Sequence, residues 1–234
     1  IVLILLLLAA AVQAEEDITT QYINNPSFDQ YDISLFPVDN TRGAYTAKEL
    51  EGWVLQGSYG VSDIMTSSAT ATDNNFGAPG KPSDGNQMYY IRNAWNASTA
   101  TLLQRITLPA GKYKITLDNK CVTQSSHAAS LVAGTESLSL TFQESLPAMW
   151  TTSELLFETS AEESVNVGLQ VHFGGGSGGS VLIDNFRLYK MPDDYAEAED
   201  PTEEAVPSFT EGVITSDFVN EADMKADLLQ MLAN

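Results

Sequence analysis

Leu102-Leu-Gln-Arg-Ile-Thr-Leu-Pro-Ala-Gly-Lys-Tyr-Lys-Ile-Thr-Leu-Asp-Asn-Lys-Cys-Val122 sets two runs of alternating and β-branched residues around a Pro-Ala-Gly step. Pro fixes φ near −65° and Gly accepts angles that other residues resist, so Leu108-Pro-Ala-Gly111 reads as a tight hairpin turn. Period-2 alternation in the second run puts Tyr113, Ile115, Leu117, Asn119 and Cys121 on one strand face. Neither run has a helical period.

Working outward, similar runs recur at Gly52–Gln56, Gln87–Arg92, Ser137–Gln143, Ser153–Glu158, Ser164–Phe173 and Val181–Tyr189. Eight short strands in under 180 residues indicate an all-β chain folded as a two-sheet antiparallel β-sandwich, a jelly roll. Gly174-Gly-Gly-Ser-Gly-Gly179 reads as a glycine-rich hairpin loop between the last two strands. Residues 29–51 and 61–86 have little periodicity and read as long loops.

Charge divides the 234 residues into three pieces. Residues 1–14 carry no charge, residues 15–192 a net −9, and residues 193–234 a net −11. The first piece is an apolar run ending Val12-Gln13-Ala14, which reads as a signal peptide lacking its initiator Met and basic start. It is too short for a bilayer span, which takes about 20 apolar residues. The mature chain is expected to begin near Glu15 and to be exported to the periplasm, cell surface or medium. Residues 193–234 read as an acidic linker followed by an amphipathic helix from Ser216, the possible start of a further domain. With no cluster of Lys and Arg, nucleic acid and anionic membrane surfaces are excluded as partners, and no membrane insertion of the mature chain is expected.

Several formal motifs fail on context. Gly174–Gly179 matches both G-x-S-x-G and G-x-G-x-x-G, but each needs a following helix, and a strand follows here. His127 and His172 stand in separate segments without ligand-like spacing to Cys or carboxylates. Alternation places His172 opposite Val171 and Phe173. Cys121, the only cysteine, reads as a small buried hydrophobe. The close glutamate pairs, Glu49/Glu51 and Glu162/Glu163, lie beside turns, where solvated roles are the norm.

Asn25-Pro-Ser-Phe-Asp29, Gly52-Trp53, Asp84-Gly-Asn86, Leu103–Tyr113 and Val181-Leu-Ile-Asp-Asn-Phe-Arg-Leu188 follow one another in an order that resembles the galactose-binding-like jelly-roll domains. The nearest likeness is to the carbohydrate-binding modules of secreted bacterial glycoside hydrolases. The resemblance spans about residues 22–190. It implies that Trp53 packs in the core, and that Asp29 and Asp184 hold one structural calcium ion between the first and last strands, although the family more often has Glu at the first position. Asp also suits the opposite reading, in which Asp29 caps a turn and Asp184 binds backbone amides. Sugar recognition needs flat apolar rings beside planar polar groups. Trp95, in Arg92-Asn-Ala-Trp-Asn-Ala-Ser98, supplies the ring, with Arg92, Asn93 and Asn96 alongside, and Tyr59 and Phe76, in loops, are weaker additions. Trp150 is assigned to core or rim packing. The expected function is an exported, non-catalytic module that binds a polysaccharide or glycan. A structural or protein-interaction spacer is the alternative, and a small jelly-roll hydrolase ranks below both.

Overall fold

Along residues 98–108 alternation in sequence becomes alternation in burial, whereas residues 115–121 are buried on both faces, Thr116, Asp118 and Lys120 included. Leu102, Gln104, Ile106 and Leu108 are buried, and so are Tyr113, Ile115, Leu117, Asn119 and Cys121. The computed structural model describes residues 14–40, 44–47, 50–68, 80–92, 96–122, 127–143, 149–174 and 180–195. The chain divides into two units, Ile1–Tyr195 and Ala196–Asn234. The second unit, with the helix expected from Ser216, lies outside the described residues, as do residues 1–13 of the expected signal peptide.

The described strands are β1 (Glu16–Asp17), β2 (Val38–Asp39), β3 (Ala44–Thr46), β4 (Val54–Gly57), β5 (Val61–Thr66), β6 (Gln87–Arg92) and β7 (Ser98–Leu108), then β8 (Gly111–Val122), β9 (Ala128–Ala133), β10 (Glu136–Ser139), β11 (Phe142–Gln143), β12 (Thr151–Thr159), β13 (Glu163–Phe173) and β14 (Ser180–Lys190). They form two sheets packed as a sandwich. The larger runs β11-β8-β14-β6-β5-β3-β2, with β12 also on β8 and β1 also on β14. The smaller runs β10-β9-β13-β7-β4. Pairing is antiparallel except for the two-residue contact of β11 with β8.

Two expected hairpins are instead crossings between sheets. β7 pairs with β13 and β4, whereas β8 pairs with β12 and β14. Residues 109–110 therefore carry the chain from one layer to the other, with the Pro109 carbonyl held by the Tyr113 hydroxyl at 3.0 Å. Pro and Gly set the turn's dihedrals but not the pairing. Each run has one apolar face, and opposite sheets let those faces bury one another. The glycine-rich segment 174–179 likewise joins β13 in the smaller sheet to β14 in the larger. The expected loop 61–86 also contains a strand, β5. It was hidden because Ser62, Asp63, Ile64 and Met65 are all buried, leaving no alternation to read.

The core between the sheets draws Val165, Val167, Leu169, Val171 and Phe173 from β13, and Val181 and Ile183 from β14. Fully burying each such side chain stabilises the fold by roughly 1.5–3 kcal/mol before entropy is counted. His172 is exposed between Val171 and Phe173, as alternation required. Along β14 the inward parity switches from Val181 and Ile183 to Phe186 and Leu188, because a bulge between Asp184 and Arg187 shifts the register. Asn185 takes a left-handed conformation there, φ +53°, which Asn tolerates better than most residues.

Candidate functional site

The motifs that carry the family resemblance converge on that bulge. Phe28 is fully buried at φ +61°, with its ring 5.6 Å from Trp53, 5.5 Å from Tyr89 and 6.3 Å from Phe186. Trp53 lies 4.7 Å from Phe186, and its indole N–H donates to the Asn25 carbonyl at 3.2 Å. The Phe186 N–H donates to the Pro26 carbonyl at 3.0 Å. Trp53 is thus a core residue.

Asp29 and Asp184 grip one turn, residues 83–87, from different elements. Asp29 Oδ1 accepts the N–H groups of Asn86 and Gln87, each at 2.7 Å. Asp184 Oδ2 accepts the Ser83 N–H at 2.9 Å, the Asp84 N–H at 3.0 Å and the Ser83 hydroxyl at 3.2 Å. Its Oδ1 accepts the Asn185 N–H at 2.7 Å. Arg187 completes the clasp with a 2.7 Å ion pair to Asp84 and a 2.6 Å bond from its Nε to Asn185 Oδ1. Gly85 is required in this turn: it sits at φ +60°, and a Cβ there would fall 1.4 Å from Asp29 Oδ2. Burial pushes the Asp184 carboxyl up to about 7, while the bonds from Asp84, Asn185 and Ser83 pull it down.

Of the two readings the sequence left open for this pair, the observed geometry is amide binding. A hard cation needs converging oxygen lone pairs. Both Asp184 oxygens already receive N–H donors, and no group of three or more His, Cys, Asp or Glu among the described residues is arranged to hold a metal. The side-chain oxygen Oε1 of Gln87 is buried without a hydrogen-bond partner, but it is a single acceptor. As arranged, the residues do not fit a calcium ion.

The proposed ligand contacts fall at one end of the sandwich. Arg92 ends β6, opposite Val61 of β5 and Ser180 of β14. Tyr59 is half-buried in the turn between β4 and β5, packed on the core edge. The Gly60 N–H donates to the Arg92 carbonyl at 2.8 Å, which ties the turn after Tyr59 to the end of β6. Ser58 donates to the Thr99 carbonyl at 2.9 Å, adding the start of β7 to the same rim. Phe76, Asn93 and Trp95 lie outside the described residues. His127 belongs to this end as a support: its Nδ1 accepts the Gly174 N–H at 3.0 Å and its ring packs on Phe173.

A second cluster was not foreseen. The outer face of the larger sheet buries Ala44, Met65, Met88, Tyr90 and Leu182, with Val61 and Trp150 packed on them. Lys120 Nζ lies 4.5 Å from the centre of the Trp150 ring, whose N–H donates to the Lys81 carbonyl at 2.9 Å. Burial lowers the Lys120 pKa, and the Tyr90 hydroxyl lies 3.3 Å from Ser180 Oγ. The one available signal was Gln87-Met-Tyr-Tyr-Ile-Arg92, which has no polar residue at alternate positions and so describes a strand covered on both sides. Cys121 is buried in the core, its thiol pushed up by burial and 3.6 Å from Asn119 Oδ1.

No protein-family model matches the sequence, and no curated protein matches it. Solved structures do. A cyclase from Fischerella sp. TAU matches with a TM-score of 0.51 at 15% identity, over 78% of this chain and 100% of its own. The TmCBM61 carbohydrate-binding module in complex with β-1,4-galactotriose gives 0.47 at 17% identity, over 72% and 97%. The CBM22-1 xylan-binding domain of Paenibacillus barcinonensis Xyn10C gives 0.38 at 13%, over 63% and 92%. At such identities likeness bears on the fold alone, and function has to be argued from a site.

Proposed function

We propose that this protein is an exported, non-catalytic carbohydrate-binding module of a bacterial polysaccharide-processing protein, binding a polysaccharide or glycan at the Tyr59–Arg92 end of the sandwich. The observation that carries the reading is the bond from the Gly60 N–H to the Arg92 carbonyl. It ties the Tyr59–Gly60 turn to the end of β6, directly before Asn93 and Trp95 in the chain. Sugar hydroxyls exchange nearly evenly between water and protein, so net affinity comes mainly from rings stacked on C–H faces, each worth about 1 kcal/mol beyond its area. Trp95 is assigned that role, with Asn93 and Arg92 orienting the hydroxyls.

Retention on immobilised plant and algal polysaccharides tests the proposal. Wild type is expected to be retained on at least one of them. Trp95→Ala is expected to flow through while melting as wild type does. Failure of the wild-type protein to bind any glycan would sink the reading in favour of a structural spacer. That alternative has its own support, since the recognisable motifs are consumed in packing the core.

A further inference from the structure

The smaller sheet turns one face to the core and the other to solvent, and the register of its strands fixes which side chains lie outside. Val54 of β4 stands opposite Leu103 of β7, Leu103 opposite Gly168 of β13, and Gly168 opposite Val132 of β9. These residues form an apolar row across four strands, with Val54 54% exposed and Leu103 and Val132 half-buried. Gly168 has no side chain and leaves a dip in the middle of the row. Two residues along the strands, Gln56, Thr101, Gln170 and Ser130 are in register and make a polar row. On the opposite flank, Arg105 pairs with Asn166. Gln56, Arg105, Asn166 and Gln170 are all exposed. The alternate residues of the same strands, Leu102, Leu131, Val167 and Leu169 among them, fill the core.

Charge and shape both bear on what this face fits. Residues 15–192 hold 19 Asp and Glu, yet no residue that the five strands turn outward is acidic. Glu136 and Glu163, at strand ends, share the parity of the core residues Ala133 and Leu108 opposite them. Arg105 supplies the one full charge of the outward set. As to shape, neighbouring strands lie about 4.8 Å apart and each residue rises about 3.3 Å. The apolar row is therefore about 14 Å long from Val54 to Val132, and the polar rows run beside it about 7 Å away on either side. The result is a straight strip, apolar along its middle and edged by amides and hydroxyls that both donate and accept hydrogen bonds.

We propose that the outer face of the smaller sheet is a track for a neutral polysaccharide chain lying across the strands, from β4 toward β9. The C–H faces of successive sugar rings cover Val54, Leu103, the dip at Gly168 and Val132, removing that apolar surface from water. Their hydroxyls exchange hydrogen bonds with Gln56 and Gln170 on one side and with Arg105 and Asn166 on the other. A carboxylated chain gains only Arg105 against the net −9 of residues 15–192, so the track selects against it. The inference rests on the carbohydrate reading of the protein, but on none of the residues assigned to the Tyr59–Arg92 end.

The test is native affinity electrophoresis of the full chain in gels containing galactan, xylan, glucomannan or laminarin, with alginate and polygalacturonate as the anionic counterparts. Wild type is expected to be retarded by at least one neutral chain and by neither anionic one. Gln170→Ala and Asn166→Ala, both at exposed positions, are each expected to weaken that binding about threefold or more with unchanged melting temperature. Leu103→Glu sets a carboxylate in the middle of the strip and is expected to weaken it about tenfold or more. Should Leu103→Glu also melt early, the two exposed-site variants decide. Unchanged binding in Gln170→Ala and Asn166→Ala, or equal retardation by the anionic chains, would overturn the track. So would a concentration-dependent dimer in sedimentation that Leu103→Glu dissociates, since the face would then be taken by a second copy of the chain. Trp95→Ala, run in parallel, separates the two sites. Binding lost in Trp95→Ala but intact in the face variants removes the track and leaves the Tyr59–Arg92 end, and the reverse pattern keeps the track and removes that end. A wild-type chain retarded by nothing removes both.

Discussion

Replacing Asp184 by Asn probes the clasp that joins the last strand to the turn 83–87. Asp184 is fully buried and accepts four hydrogen bonds, three on Oδ2 and one on Oδ1. Asn keeps the shape but supplies one acceptor atom. With its oxygen toward Ser83 and Asp84, its NH₂ group faces the Asn185 N–H, and that bond is lost. At pH 5 the Asp184 carboxyl, with its pKa pushed up to about 7, is protonated, so the bond lost joins neutral groups and is worth about 1 kcal/mol. At pH 5 the variant should therefore be about 1 kcal/mol less stable. Burial holds the Asp184 pKa at about 7 in the folded protein, against about 3.9 in an unfolded chain. The native state then binds this proton more tightly, so the stability it contributes is fully present below about pH 3.9 and is lost as pH rises through about 7. Each pH unit between those limits removes about 1.4 kcal/mol from wild type and nothing from the variant. From pH 5 to pH 8 wild type should lose about 2–3 kcal/mol relative to the variant, so that the variant ends as the more stable protein. For a domain of this size that is about 4–12 °C in the melting difference. Parallel urea and thermal unfolding at pH 5, 6, 7 and 8 reads it directly. A wild-type advantage that grows with pH would show that the four donors outweigh burial and keep the carboxylate ionised, refuting the argument.

Three further outcomes follow from the same region. Trp53→Ala removes a 2%-exposed indole packed on Phe28 and Phe186, and should cost about 3–5 kcal/mol by urea unfolding; a loss under 1 kcal/mol would mean the ring is not in the core. Gly85→Ala should destabilise by about 2–4 kcal/mol, from left-handed strain and displacement of Asp29 from its two amides. In an Asp29→Ala background the same change should cost only the strain, about 1 kcal/mol, and simple additivity would refute the collision. EDTA should leave the melting temperature of wild type within 1 °C. A chelator-sensitive fall that Asp184→Asn abolishes would instead restore the calcium ion that the family resemblance implies.

Strand alternation was legible wherever one face of a strand meets the core and the other meets water. β7 and β13 satisfy that condition, and their inward residues follow from the sequence alone; β8 shows its inner face the same way, although Thr116, Asp118 and Lys120 on its other face are buried as well. β5 and β6 do not. Met88 and Tyr90 are buried on the outer face while Tyr89 and Ile91 are buried on the inner one, so the period-2 signal vanishes and β5 passes for loop. Layer assignment was illegible for a different reason. Pro109 and Gly111 specify a sharp turn, but whether the following strand pairs with its predecessor or crosses to the other sheet depends on partners far along the chain, Phe173 for Ser98 and Lys190 for Tyr113. The outer cluster of Trp150 and Lys120 joins residues from β8 and from the segment before β12, a juxtaposition no local spacing encodes. At the candidate site, Arg92 and Tyr59 were named from separate segments, and the backbone bond from Gly60 that ties the turn after Tyr59 to the end of β6 has no local sequence signal.

The same geometry explains why the sequence spoke more clearly of fold than of ligand. Asn25-Pro-Ser-Phe-Asp29, Gly52-Trp53, Asp84-Gly-Asn86 and Ile183-Asp-Asn-Phe186 are recognisable because each performs a task few residues can: a left-handed turn, a glycine against a side chain, a buried carboxylate on amides, a bulge. These tasks interlock. Phe186 donates to Pro26, Asp29 holds the amides beside Gly85, and Asp184 holds the other side of that turn. Changing one member would strand a buried polar group or open a cavity beside the aromatic cluster, so the set is constrained by the stability of the sandwich and carries no information about a bound sugar. Ligand information must instead lie in residues the fold does not need. Arg92 at the rim, with Asn93 and Trp95 after it in the chain, is assigned that task. It is there that binding and folding should separate under mutation, with Trp95→Ala leaving the melting curve in place and Trp53→Ala moving it to lower temperature.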